Sequence, residues 1–368
     1  MTAHQSVKSA RARLFALVAA VVAAVTLLAL TPTGGQPARP VVPGVDSVWP
    51  HARRGDVPGT LPDGAAYSPA YFLDERASVG TALDPGGRSL RLLLRAADGT
   101  VRVLRRLPTR VGPQFAGFAR SGATLAWAES ISDRGAARTT LWRADVESAG
   151  APQKVTDDAG AVLFDNSEYD MAIESGRLYW TAAAPGGETA TEVRSAPVSG
   201  GTVDVRTEPG RWALSSWPWL VSTGDGRNGP AQLRDLDTGR VVTVDPIGDE
   251  QVTCRPSWCR ALTLGGDGKA RSYLMRPDRS DRRRVTADGA TAAIIDVAVL
   301  DRFEVLAGES STLASAIGGQ RLFVYDAAAR RLATVAEAAL KVLYRGGVLW
   351  WSTGNGDAAW HTLDLRSL

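Results

Sequence analysis

Histidine is nearly missing from this sequence: three in 368 residues, at His4, His51 and His361. A Ser-His-Asp hydrolase needs an imidazole beside its nucleophile, so that class is almost excluded. A multi-histidine metal centre is excluded outright. Cysteine is limited to Cys254 and Cys259, two ligands short of a zinc site. No G-x-S-x-G, Walker or dinucleotide glycine pattern leads into a helix, which leaves phosphate-cradling sites without support. Neither a cofactor nor a metal is expected. Lysine is scarce too: of 42 basic residues only Lys8, Lys154, Lys269 and Lys341 are lysines.

Charge of one sign is also lacking once position is considered. The formal charge is +3, but Lys8, Arg11 and Arg13 precede the first apolar run and no acid occurs before Asp46. Setting those three aside leaves 39 basic and 39 acidic residues. A nucleic-acid binder concentrates positive charge against phosphates, so nucleic acid is not expected as a partner. The arginine-rich stretch at 279–284 (RSDRRR) contains an aspartate and reads as a solvated hairpin turn.

Residues 14–30 (LFALVAAVVAAVTLLAL) form the one long uncharged run, behind a basic n-region at 1–13. Crossing a hydrocarbon core takes about 17–25 helical residues, so this run is either a short signal anchor or a cleaved signal peptide. The positive-inside rule places the N-terminus in the cytoplasm and the rest outside. The expected address is the cell membrane, single-pass with the main domain extracytoplasmic, or secretion if the segment is cleaved. Residues 31–44, rich in Pro and Gly, read as a tether, and residues 45–368 as the folded domain. An oxidising exterior suits a Cys254–Cys259 disulfide across a short turn between two strands.

With 38 Gly and 20 Pro the chain turns often, and after residue 70 helical periodicity is almost gone. Short apolar runs recur every 41 to 54 residues: 70–73 (AYFL), 124–127 (TLAW), 177–180 (RLYW), 218–221 (PWLV), 260–263 (RALT), 302–305 (RFEV) and 348–351 (VLWW). Each is followed by an alternating run, and most by a more polar one such as 240–244 (RVVTV). Preceding runs such as 171–173 (MAI), 252–254 (VTC) and 294–297 (IIDV) supply a fourth strand. Four antiparallel strands at this period make a β-propeller blade. One blade has two apolar faces and cannot bury both alone, whereas stacking around an axis buries every face. The fold class is therefore all-β: a propeller of four-stranded antiparallel blades, seven by the count of apolar runs, or six if 70–107 is an extension.

The sequence stops just after the alternating run that follows the last apolar one, so the last blade is expected to borrow its outer strand from the N-terminal side, at 41–49. Trp127, Trp180, Trp219, Trp350 and Trp351 fall in the apolar runs and are expected between blades. Trp212, Trp217 and Trp258 lie in turns or at strand edges and are candidates for a ligand or partner surface. So are Asp225, Asp267 and Asn355, from three Gly-Asp/Asn loops that open on one face (223–229, 265–269 and 353–357). Those loops otherwise serve as tight turns, with too few carboxylates for calcium.

The stretch 84–92 (DPGGRSLRL) approaches a Trp-Ser-Pro-Asp-Gly-like turn leading into an apolar strand, and 121–127 (SGATLAW) keeps the turn in reduced form. With the strand order and period of residues 70–368, the chain resembles the TolB-like group of propellers, bacterial envelope proteins built from WD40-like repeats. That resemblance implies protein–protein interaction in the envelope, without catalysis. The expected function is a membrane-tethered, monomeric binding or scaffold module for an envelope protein, peptide or polymer. The alternative is a carbohydrate-active enzyme with paired carboxylates. Its candidates are Asp74-Glu75, Asp157-Asp158, Asp165/Glu168/Asp170 and Asp249-Glu250.

Overall fold

The computed structural model describes residues 42–368 apart from 134–135, 187–188, 223–228, 286–288, 310–317 and 354–358. The apolar run at 14–30 lies outside the described residues, among which no helix is long and apolar enough to cross a membrane. Residues from Pro43 to Leu368 form one compact unit.

Seven antiparallel sheets follow one another along that unit. Blade 1 comprises Ser68–Phe72, Ser78–Leu83, Ser89–Arg95 and Val101–Pro108. Blade 2 comprises Gln114–Ser121, Thr124–Asp133, Ala136–Asp145 and Gln153–Thr156. Blade 3 has a divided inner strand, Ala161–Val162 and Met171–Glu174, followed by Arg177–Ala183, Ala190–Pro197 and Asp204–Pro209. Blade 4 is Trp212–Leu214, Trp219–Ser222, Ala231–Asp235 and Val241–Val244. Blade 5 is Gln251–Cys254, Cys259–Leu264, Ala270–Met275 and Arg283–Arg284. Blade 6 is Thr291–Ala292, Phe303–Gly308, Gln320–Asp326 and Arg331–Ala339. Blade 7 takes Val342–Arg345, Val348–Ser352 and Ala359–Asp364 from the C-terminal end, and Arg53–Pro58 from the N-terminal side as its outer strand.

Burial follows position in the blade. The second strand of blade 7 is buried at every residue, as a strand covered on both faces must be. The outer strand of blade 3 is mostly exposed and that of blade 4 half exposed. The apolar clusters lie between blades. One joins Leu92 and Val79 of blade 1 to Trp127 and Leu125 of blade 2. Another joins Val155 of blade 2 to Trp180 and Leu178 of blade 3. Phe72 and Leu93 of blade 1 meet Trp350 and Trp360 of blade 7 with Val57 of the closing strand, which seals the ring.

Closure differs from expectation in its residues. The chain supplies a strand, but at Arg53–Pro58, paired in register from Arg53↔Asp364 to Pro58↔Ala359, and not at 41–49. Within that stretch Val45–Val48 is a single helical turn. Four-residue spacing puts Val45 and Trp49 on one side of it. Both pack on blade 6, Trp49 edge-on to Phe303 at 6.2 Å. Two further strand readings shift. The run 70–73 belongs to the inner strand of blade 1, whose second strand is Ser78–Leu83, where Ser, Gly and Thr dilute the apolar signal. Residues 294–297 form no strand; the inner strand of blade 6 is only Thr291–Ala292.

Candidate functional site

The break in the inner strand of blade 3 is where this propeller departs from a plain ring. Between Val162 and Met171 the chain leaves the sheet as a loop, 163–170, shaped by its own polar groups. The amides of Asp165 and Ser167 donate to Asp170 Oδ1 at 2.9 and 3.3 Å, and the Tyr169 amide donates to Ser167 Oγ at 3.1 Å. In a closed ring of seven, blade 3 borders only blades 2 and 4. Yet this loop bonds to three others. Ser167 Oγ and the Glu168 amide donate to Asp296 of blade 6 at 2.6 and 3.0 Å. Arg345 of blade 7 donates to Asn166 Oδ1 at 2.7 Å and stands 3.6 Å from Asp170 Oδ2. Arg255 of blade 5 lies 3.5 Å from Glu168 Oε1 and stacks over the Tyr169 ring at 3.5 Å. Such contacts are reachable only across the axis, so the loop fills the ring centre. Its near end rests on blade 2, where Gly117 has φ +55° and a Cβ would come 2.8 Å from the Phe164 ring.

Electrostatics inside this plug follow from burial. Desolvation pushes the Glu168 carboxyl up to about 7, against the pull of Arg255. Desolvation likewise raises Asp170 to about 6, against Arg345, and lowers Arg345 itself. Tyr344 is driven well above the usual tyrosine range by burial and by neighbouring Glu168. Among the described residues Asp170 Oδ2 and Arg345 Nη1 are buried without hydrogen-bond partners, so charge more than hydrogen bonding joins blade 7 to the loop here.

Beside the plug a cavity of about 440 Å³ opens between the inner strands of blades 4 and 5. Its walls include Leu214, Ser215, Val252 and Arg255, with Asp165 from the loop and Asp296 from blade 6. Ile295, half exposed, stands in the same wall. The size falls in the range of small-ligand sites.

The residues singled out from sequence are distributed differently. Cys254 and Cys259 are disulfide-bonded, directly opposite each other in the blade 5 hairpin. The turn they close carries Arg255 into the plug, and Cys254 itself lines the cavity. Trp212 and Trp258 are only 5% and 3% exposed, although Trp212 lines a second cavity together with Arg211 and Phe164. Trp212 begins the inner strand of blade 4 and donates to Pro209 O. Trp258 folds under the disulfide turn, donates to Asp301 O at 3.0 Å and lies beneath the Arg276 guanidinium. Trp217 is half-buried, stacked 3.7 Å from the Tyr179 ring. Asp267 is exposed but serves its own turn, accepting from the Lys269 amide and facing Arg271 at 3.5 Å. Asp225 and Asn355 lie outside the described residues.

In each carboxylate pair at least one member is engaged structurally. Asp74 caps its own turn through the amides of Arg76 and Ala77. Asp157 pairs with Lys154, Asp158 with Arg194 and Glu250 with Arg282. Of the Asp165/Glu168/Asp170 group, two face arginines and Asp165 remains open. Arg255, Asp296 and Arg345 were not legible as site residues. Asn166 and Arg345 are 179 residues apart and Ser167 and Asp296 are 129 apart, with no motif linking either pair.

No known protein family matches the sequence, and no curated protein matches it either. Solved structures do. A structure from a study of two prolyl endopeptidases is 16% identical over 79% of this chain and 46% of that one, with a TM-score of 0.50. The β-propeller domain of the trilobed protease from Pyrococcus furiosus is 9% identical over 66% of this chain and 78% of that one, at 0.44. TolB from Acinetobacter baumannii is 18% identical over 60% of this chain and 54% of that one, at 0.37. The chain spans about half the length of the endopeptidase and of TolB. At 16% identity the likeness to the endopeptidase structure is one of fold alone.

Proposed function

We propose that this protein is a non-catalytic binding module of the cell envelope, held at the membrane by residues 14–30 or released by their cleavage. In this reading it presents the cavity beside its plugged axis to a protein, peptide or polymer partner. The observation that carries the reading is the plug. A loop that closes the ring centre and braces four other blades turns the propeller into a platform, with a side cavity next to it as a concave feature open to a ligand. Glu168 and Asp170 face arginines inside the plug and do not line the cavity, which supports binding there over acid–base catalysis, since a catalytic carboxyl must come within hydrogen-bond reach of the substrate.

A photo-crosslinking amino acid placed at Ile295 in the full chain, in its native membrane, tests this. The exposed Val205 on the outer strand of blade 3 serves as control. A discrete adduct at Ile295 and none at Val205 is expected. Adducts at neither position, or equally at both, would contradict the reading.

A further inference from the structure

The cavity between blades 4 and 5 carries an uneven set of charges. Its charged lining residues are Asp165, Arg255 and Asp296. Arg255 is doubly engaged, 3.5 Å from Glu168 and 3.5 Å from Asp296, with its guanidinium face on Tyr169. Asp296 in turn accepts from Ser167 Oγ and the Glu168 amide. Asp165 differs: it is exposed, and its carboxylate makes no hydrogen bond or ion pair among the described residues. Among the described residues the cavity lining therefore has one negative charge in excess, at its accessible side.

A second observation is independent of charge. Ser215 lines the same cavity, is 1% exposed, and its hydroxyl is without a hydrogen-bond partner among the described residues. A buried hydroxyl left unpaired keeps its desolvation cost, which a ligand group that pairs with it recovers. Around these two polar points the walls are apolar: Leu214, Val221, Ala231, Val252 and Ile295.

An anionic ligand would meet the excess carboxylate. A neutral sugar would leave that carboxylate unmatched and press hydroxyls against aliphatic walls. A cation on an apolar chain matches both features, and the volume admits a few residues and no folded domain. Building on the binding-module reading above, we infer that this cavity takes a short apolar peptide segment carrying a primary ammonium group, with Asp165 as counter-ion and Ser215 hydrogen-bonding the segment's backbone. The ammonium comes either from a chain N-terminus or from a lysine side chain.

Calorimetric titration of the full chain in detergent micelles with three peptides tests this: Leu-Ala-Ala amide, its N-acetylated form, and acetyl-Lys-Ala-Ala amide. At least one ammonium-bearing peptide is expected to bind, and which one does identifies the source. Removing the charge by acetylation, or its partner by Asp165→Asn, should weaken binding by about tenfold or more. The Asp165 side chain makes no hydrogen bond or ion pair among the described residues and only repels Asp170, so Asp165→Asn should not lower the melting temperature, and Ser215→Ala should weaken binding without lowering stability. The inference is overturned if acetylated Leu-Ala-Ala amide binds as tightly as the free amine. It is also overturned if neither substitution weakens binding, or if no peptide binds at millimolar concentration. Persistent crosslinks at Ile295 alongside failed peptides would remove the ammonium assignment alone; loss of those crosslinks would remove the binding reading as well.

Discussion

Glu168 and Asp170 are carboxyl groups held away from water in the middle of the ring, and their titration is a direct readout of that position. Glu168 moves from an ordinary 4.5 to about 7 because burial penalises its charge, Arg255 opposing. Asp170 moves from 3.8 to about 6 for the same reason, Arg345 opposing. With folded values above unfolded ones, the folded chain holds protons that the unfolded chain has released. The stability these two groups contribute is therefore full below about pH 4 and lost as pH rises through 6 and 7. The melting temperature should fall by a few degrees between pH 5 and pH 8. Glu168→Gln combined with Asp170→Asn should flatten that fall, and a wild-type profile that rises over this range would contradict the burial. At this scale the sequence was half legible. Trp127, Trp180, Trp350 and Trp351 are core residues, as their place in apolar runs implied. Trp212 and Trp258 read as surface because their neighbours are turn formers, yet the seam between blades 3 and 4 and the disulfide turn bury them. The carboxylates of 165–170 stood out by composition, while their arginine partners came from distant blades that only closure brings together.

Among the elements, the closing strand Arg53–Pro58 has the narrowest tolerance. Val57 alternates into the seam between blades 7 and 1, Asp56 accepts from His361 Nδ1 at 2.6 Å, and Arg53 reaches the buried Asp364. At Gly55 a Cβ would come within 2.2 Å of the Glu75 carbonyl oxygen, backbone that cannot swing aside. Gly55→Ala should therefore cost about 1–3 kcal/mol, the usual range for overpacking, measured as a lowered denaturant midpoint. An unchanged midpoint would mean that the strand is not seated against Glu75. Sequence predicted the need for such a strand because the last blade lacked one. It misplaced the strand because Val41 to Trp49 is the more apolar stretch, whereas the pairing uses a polar one with a single buried valine. The disulfide hairpin was fully legible, since five residues of separation between two cysteines leave few geometries.

For the whole molecule, periodicity carried the fold. Seven apolar runs became seven blades because each sheet must share both faces, and the correction within blade 1 exchanged one strand for the next without changing the count. What periodicity could not show is the departure from repetition, the blade 3 loop that leaves its sheet and crosses the axis. A repeat unit says nothing of the one place where it is broken, and the proposed binding cavity depends on that break. Hydrogen exchange of the full chain, followed over 163–170, tests the crossing most directly. The amides of Asp165, Ser167 and Glu168 donate to Asp170 and Asp296. They should exchange slowly for a loop, and Asp296→Ala, 129 residues from Ser167 and three blades away, should accelerate them. Exchange at unprotected rates in the wild type, or rates indifferent to Asp296→Ala, would show that the ring centre is not filled by this segment.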